Sequence, residues 1–155
     1  MRRQVKADRL DSVTRYLSWD HDRLDGILGE ATRRVEGGRV SEARFFFEAF
    51  DQGLRRHIHA DETILFPLFE SRTGGTHALT ETLRREDRAI ESELRRMRMA
   101  LETGDVSEYG GGLANLHDLL GPHNTREEQV LYSAMDALVA DPTERNELLD
   151  RLIRG

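Results

Sequence analysis

The chain has 155 residues, a formal charge of −6 at pH 7 and no cysteine. This length suits one domain, and the negative charge gives no general attraction for nucleic acid or for an anionic membrane surface. Without cysteine, any metal must be bound by nitrogen and oxygen ligands. No apolar run approaches a membrane span and the N-terminus has no signal-peptide core, so we expect a single-domain cytosolic protein.

Charged residues make up 34% of the chain and aromatic residues 6%, which is typical of helices with wide solvated faces and predicts an all-α fold. Glycine and proline signals indicate four long helices and a short fifth helix. Pro67 and Pro122 fall inside the second and fourth helices, where we expect kinks that cost about 3 kcal/mol each. After a lead-in of about 11 residues, the first helix is predicted to end at "EGG" (36–38), and the second to run from Ser41 to about Ser71. The third is predicted to run from about Thr76 to Glu102, and the fourth from near Ser107 to near Ala140. The fifth is predicted over about 142–154, with Asp141 as its N-cap.

An ungapped internal repeat relates the two halves of the chain. "VSE" at 40–42 recurs as "VSE" at 106–108, and apolar positions such as Leu17 and Leu54 fall on apolar positions 66 residues later. Each half is therefore predicted to be a helical hairpin, which could not bury its apolar stripe alone. We predict an up-down four-helix bundle built from two such hairpins, with the short C-terminal helix added to it.

Two similar segments, "HIHADETILF" (57–66) and "HNTREEQVLY" (123–132), place a histidine and an acid four residues apart on an apolar seam. Steps of three and four residues along such a seam face the interior of a bundle. Glu62 and Glu128 lie about 100° round the helix from the seam, and His59 is two residues off it. The predicted seams are Phe50, Leu54, His57, Asp61, Ile64 and Leu68 in the second helix, and Leu113, Leu116, Leu120, His123, Glu127, Val130 and Ala134 in the fourth.

The first and third helices each carry one polar residue on their own seams. His21 and Asp87 occupy related positions of the repeat, each between two large apolar residues. Because three buried carboxylates would repel one another strongly, a positive charge must lie among them. Imidazole and carboxylate ligands in this number suit two carboxylate-bridged iron ions, with manganese or zinc as alternatives. The predicted metal ligands are His21, His57, Asp61, Asp87, His123 and Glu127.

Other candidate residues are interpreted as structural. His59 and His117 lie off the seams, and His77 lies in the glycine-rich turn before the third helix, so none of them is predicted to be a ligand. Tyr132 is interpreted as core packing.

The segments "WDHDRL", "GLRRHIHADETILFPLFE", "LRREDRAI" and "PHNTREEQVLYSAMD" resemble the hemerythrin-like, or HHE cation-binding, family from about residue 17 to residue 138. The resemblance implies an up-down four-helix bundle with a non-haem di-iron centre that binds oxygen or related small molecules. Two positions depart from the family pattern. Asp61 stands where glutamate is usual, so that Asp61 or Glu62 could bridge the ions, and Asp87 stands where histidine is usual. The ligands that the resemblance implies directly are His21, His57, His123 and Glu127.

Three functions remain open from the sequence. The leading hypothesis is a di-iron protein that binds or senses O2, nitric oxide or peroxide, or that handles iron. A di-iron oxidase, a peroxidase or an iron-centre repair enzyme comes second, because the extra carboxylate of Asp87 favours ferric iron over reversible oxygen binding. The third is a metal-free bundle that acts through partner contacts. The oligomeric state, monomer or homodimer, is left open.

Overall fold

The computed structural model describes residues 11–75 and 77–155, and these residues are almost entirely helical, with no strand among them. The all-α prediction is confirmed. The predicted lead-in before Asp11 and the predicted helix start at Thr76 lie outside the described residues. The bundle helices begin with α1 (Val13–Glu36), α2 (Val40–Ala60), α3 (Ala78–Thr103) and α4 (Val106–Arg126). Helix α2 continues through a π-helical turn, Asp61–Leu65, into Phe66–Arg72, and α4 continues through a π-helical turn, Glu127–Leu131, into Tyr132–Leu138. The short α5 (Pro142–Arg154) follows them.

Side-chain caps fix where these helices begin. Ser12 accepts a hydrogen bond from the backbone N–H of Arg15 at the start of α1, and Asp141 accepts one from Glu144 at the start of α5. Each cap satisfies a backbone donor that has no partner inside the helix. Asp136 of α4 also accepts from the backbone N–H of Val13 at 2.8 Å. This bond links the first turn of α1 to α4.

The four long helices pack as two hairpins, α1 with α2 and α3 with α4, which meet through α2 against α3 and α1 against α4. Helix α5 packs on α1 and on the π turn of α2. The buried apolar side chains form two separate clusters, one toward the hairpin loops and one toward the end that α5 covers. Among the described residues, no helix is both long enough and apolar enough to cross a membrane.

Two π-helical turns occur at the same point of each repeat, beginning at Asp61 and at Glu127. The backbone N–H of Phe66 bonds to the carbonyl of Asp61, five residues back, and that of Tyr132 bonds to Glu127 in the same way. Such a turn holds one residue more than an α-helical turn, so it rotates the following side chains relative to a regular helix. Pro67 lies just after the first π turn, whereas Pro122 lies within Val106–Arg126.

The π turns correct the predicted seams beyond the two acids. Val130 is 51% exposed and Ile64 is only partly buried, whereas Leu65 and Leu131 are fully buried. The prediction assumed an uninterrupted period of 3.6 residues, and the inserted residue moves the buried face by one position. The inward positions after the acids are therefore Leu65, Phe66 and Phe69 in α2, and Leu131, Tyr132 and Met135 in α4.

Candidate metal centre

The six predicted ligands lie in one buried polar layer between the two apolar clusters. Each of them is at most 5% exposed, and Glu127 has no exposed surface. The seams of α1 and α3 place His21 and Asp87 in this layer, and the residues just before and within the π turns of α2 and α4 supply the other four. All four long helices thus contribute polar side chains to the middle of the bundle.

One group of side chains forms where α1, α2 and α4 meet. The Nε2 atom of His21 lies 3.1 Å from Nε2 of His57 and 3.3 Å from Oε1 of Glu127. One ligand atom from each of these three residues lies within 4.8 Å of the other two. Asp61 Oδ2 lies 3.3 Å from His57 Nε2. Adjacent ligands of one small divalent ion, each about 2.1 Å from it, are about 3 Å apart, so these separations suit a common cation.

A second group lies on the other side of Glu127. The Nε2 atom of His123 is 3.2 Å from Oδ1 of Asp87 and 3.2 Å from Oε1 of Glu127. The Asp87 carboxylate faces the centre, while the nearby arginines are paired elsewhere, Arg84 with Glu70 and Arg88 with Glu62. Oxygen Oε1 of Glu127 is therefore common to both groups of histidines.

Carboxylates outside this layer face the far nitrogens of the three histidines. His57 Nδ1 is 2.9 Å from Asp20 Oδ2, and His21 Nδ1 is 3.0 Å from Glu128 Oε1. His123 Nδ1 has a longer contact, 3.8 Å, with Oε2 of Glu86. A carboxylate on the far nitrogen fixes the tautomer and orientation of a metal-binding imidazole.

The sequence interpretation did not identify these supporting acids, although a signal for them exists. Asp20, Glu86 and Glu128 are each the direct chain neighbour of a predicted ligand. A side chain next to the seam points along the bundle interface toward an adjacent helix rather than into the centre. Two of these acids are held by arginines of the surface, Asp20 by Arg23 and Glu86 by Arg126.

The donor set fits a cation. An Nδ1–H that donates to a carboxylate leaves a lone pair on Nε2, so His21 and His57 turn two lone pairs toward each other at 3.1 Å. Within the described residues, no hydrogen bond reaches Asp61 Oδ1, Asp87 Oδ2 or either oxygen of Glu127, all of which are buried. Buried acceptors without donors are costly. Positive charge within this layer would offset that cost.

The pKa values of the buried groups reflect the same shortage of positive charge. Burial, together with the Glu127 and Asp61 carboxylates, raises the pKa of Asp87 to about 10. Burial and Glu127 also raise the pKa of Asp61 well above its usual value, against the effect of His57. Burial alone would lower the pKa of His57, but the Asp61, Asp20 and Glu127 carboxylates outweigh it and raise that pKa. Without a metal ion, protons are therefore held in the cluster.

Glu127 is the carboxyl group that stays ionised in this cluster. Burial would raise its pKa, but the nearby side chains of His123, His21 and Asp61 outweigh burial and lower that pKa well below the usual range. The central acid is thus available as an anion for whatever positive charge the cluster holds.

Tyr132 belongs to the polar layer, whereas its sequence position suggests only packing. Its hydroxyl oxygen lies 3.1 Å from His57 Nε2 and donates to Asp61 Oδ2 at 3.2 Å. The other candidates stay outside, as the sequence predicts: His59, His77 and His117 are exposed.

A protein-family model described as the hemerythrin HHE cation binding domain matches residues 12–135 of this chain. The match runs from the N-cap of α1 to the last segment of α4, and it includes all six predicted ligands. No similar curated protein and no similar solved structure is found.

Proposed function

The chain belongs to the hemerythrin HHE cation-binding family, and from that premise we propose that it is a cytosolic non-haem di-iron protein that binds or senses O2, nitric oxide or peroxide, or that handles iron. The observation that carries this proposal is the pair of facing Nε2 atoms of His21 and His57, 3.1 Å apart and surrounded by carboxylates. This arrangement requires a positive charge. Imidazole and carboxylate donors suit iron, and manganese or zinc could also bind.

The two groups of donors support a proposal of two ions per chain. His21 and His57 would hold one ion, His123 and Asp87 would hold the other, and Glu127, which is close to all three histidines, would bridge them. Asp61 would complete the set as a further carboxylate beside His57. Bound iron would supply a Lewis acid with two accessible oxidation states for a small diatomic molecule or peroxide.

Residues around the proposed ions would orient the ligands, exclude water and hold protons. Asp20 and Glu128 orient the imidazoles of His57 and His21 through their Nδ1 atoms. The apolar clusters above and below the polar layer keep bulk water away from it. Asp61 and Asp87, whose pKa values are raised, hold protons that must leave when cations enter.

Asp87 favours a second candidate function, a di-iron oxidase or peroxidase or an enzyme that repairs iron centres. Its carboxylate is buried and lies 3.2 Å from His123, so a third anionic ligand replaces a neutral imidazole. Anionic oxygen ligands stabilise ferric iron relative to ferrous iron, which disfavours reversible oxygen carriage.

Metal analysis followed by optical spectroscopy tests these functions. The purified protein is loaded with ferrous iron without oxygen, desalted, and its metal content is measured; we expect close to two irons per chain. Oxygen and, separately, peroxide are then added. A visible band that disappears on deoxygenation supports reversible binding, whereas steady consumption of peroxide supports the enzyme. Protein that retains no iron, manganese or zinc would instead be a metal-free bundle.

A further inference from the structure

Tyr132 is the first residue after the π turn of α4, and its side chain is completely buried. Its backbone N–H bonds to the carbonyl of Glu127, so the π turn fixes its position relative to that acid. Its ring lies beside the imidazole of His21, with the ring centroids 5.8 Å apart. The phenol therefore enters the polar layer from the end of the bundle that α5 covers.

The hydroxyl oxygen of Tyr132 lies as close to the donor atoms as those atoms lie to one another. It is 3.1 Å from His57 Nε2, which in turn is 3.1 Å from His21 Nε2. It is 3.2 Å from Asp61 Oδ2. These separations are those of neighbouring ligands around one small ion. Core packing alone gives no reason for a phenol, rather than a phenyl ring, at this point.

The internal repeat makes the hydroxyl an asymmetric feature of the chain. The residue related to Tyr132 is Phe66, which is equally buried and carries no polar atom. Of these two repeat-related residues, only Tyr132 therefore places a hydroxyl in the polar layer, beside His57 and Asp61.

From these contacts we infer that Tyr132 is itself a metal ligand, binding through its phenol oxygen to the cation held by His21 and His57. This inference rests on the proposed metal-binding function and deepens it. Binding would break the O–H bond of Tyr132, release its proton to solvent, and form a bond from an oxygen lone pair to the cation. No electron is transferred. The chain then supplies seven ligand side chains.

The test compares iron-loaded wild-type protein with Tyr132→Phe, which keeps the ring and removes only the hydroxyl. We expect the ferric wild-type protein to show a phenolate-to-iron charge-transfer band with resonance Raman ring modes, and we expect Tyr132→Phe to lose both. The matched control is Tyr109→Phe, because Tyr109 is also buried but bonds to Thr32 in the apolar cluster near the hairpin loops. That variant should keep the band unchanged.

A measurement on the wild-type protein covers the case in which Tyr132→Phe does not fold. Incorporation of ring-deuterated tyrosine should shift the resonance Raman modes of the ferric protein. If wild-type protein takes up iron but shows no ring modes, or if a folded Tyr132→Phe keeps the band, the inference is wrong while the proposed function stands. If wild-type protein takes up no metal at all, both are wrong.

Discussion

The imidazoles of His21 and His57 face each other with Nε2 atoms 3.1 Å apart, although the Nδ1 atom of each ring already pairs with a carboxylate. The two carboxylates come from different helices, Glu128 on α4 and Asp20 on α1. The polar layer is therefore built from the outside inward: acids set the orientation of the rings, and the rings present their lone pairs to the centre.

Replacement of His57 by alanine should remove metal binding on the side of the layer shared with His21. Loss of this buried partner leaves Asp20 and Asp61 without the imidazole that contacts both, so the free energy of unfolding of the metal-free protein should fall by about 3 kcal/mol. His59→Ala is the control, since His59 lies on the same helix and is exposed; it should change stability by no more than about 0.5 kcal/mol. Equal metal content in the two variants would contradict the assignment.

Neighbouring acids should differ sharply in their effect on metal content. Asp61→Asn and Glu127→Gln remove buried carboxylates that face the histidines, so each should reduce the metal retained after desalting. Glu62→Gln should retain it, because Glu62 is paired with Arg88. A loss of metal in Glu62→Gln with none in Asp61→Asn would show that Glu62 is the bridging residue.

Asp20→Asn tests the orientation of His57 without touching the centre itself. Asparagine preserves the shape of the side chain but removes the charge that holds Nδ1–H at 2.9 Å, and such changes lower metal affinity by about 10- to 100-fold. The affinity is measured by competition with a chelator of known strength. Asp22→Asn, an exposed neighbour on α1, is expected to leave the affinity unchanged.

The metal-free protein should lose stability as the pH rises above about 4, the pKa of an unfolded aspartate, and more steeply above about 6.5, the pKa of an unfolded histidine. The pKa of His57 is raised in the folded state and that of Asp87 reaches about 10, so the folded chain holds more protons than the unfolded chain in this range. Each such proton lowers the free energy of unfolding by about 1.4 kcal/mol per pH unit. Urea unfolding at pH 6.5, 8 and 9 measures the slope, and a flat or rising profile would contradict the pKa shifts.

Metal loading at pH 8 should also release protons into a weakly buffered solution.

Asp87→His should raise the reduction potential of the iron-loaded protein. The change replaces an anionic oxygen ligand beside His123 with a neutral imidazole, which stabilises ferric iron less. Redox titration monitored by the optical spectrum gives the potential, and the same variant should lengthen the life of any oxygen adduct. An unchanged potential would mean that Asp87 does not contact the metal.

The sequence by itself determined the helices, their pairing and the six histidine and carboxylate side chains that point into the bundle. Alternation of three- and four-residue steps specifies which face of a helix is buried, and the 66-residue repeat specifies that two similar hairpins combine. On this basis His21 and Asp87 could be placed in the interior from their own helices alone, and both are buried. The helix ends at Glu36 and near Gly104 follow equally local signals.

Only the tertiary structure decided which side chains meet between helices and how the two π turns shift the buried face. Periodicity gives a direction around one helix axis, but the distance from Tyr132 to His57, or from Asp20 to His57, depends on how separate helices are packed. A π turn adds one residue to a helical turn, and no local sequence pattern predicted where this occurs. The burial of Leu131 rather than Val130 could therefore not be predicted from the sequence. The supporting acids and the buried phenol are therefore properties of the assembled bundle.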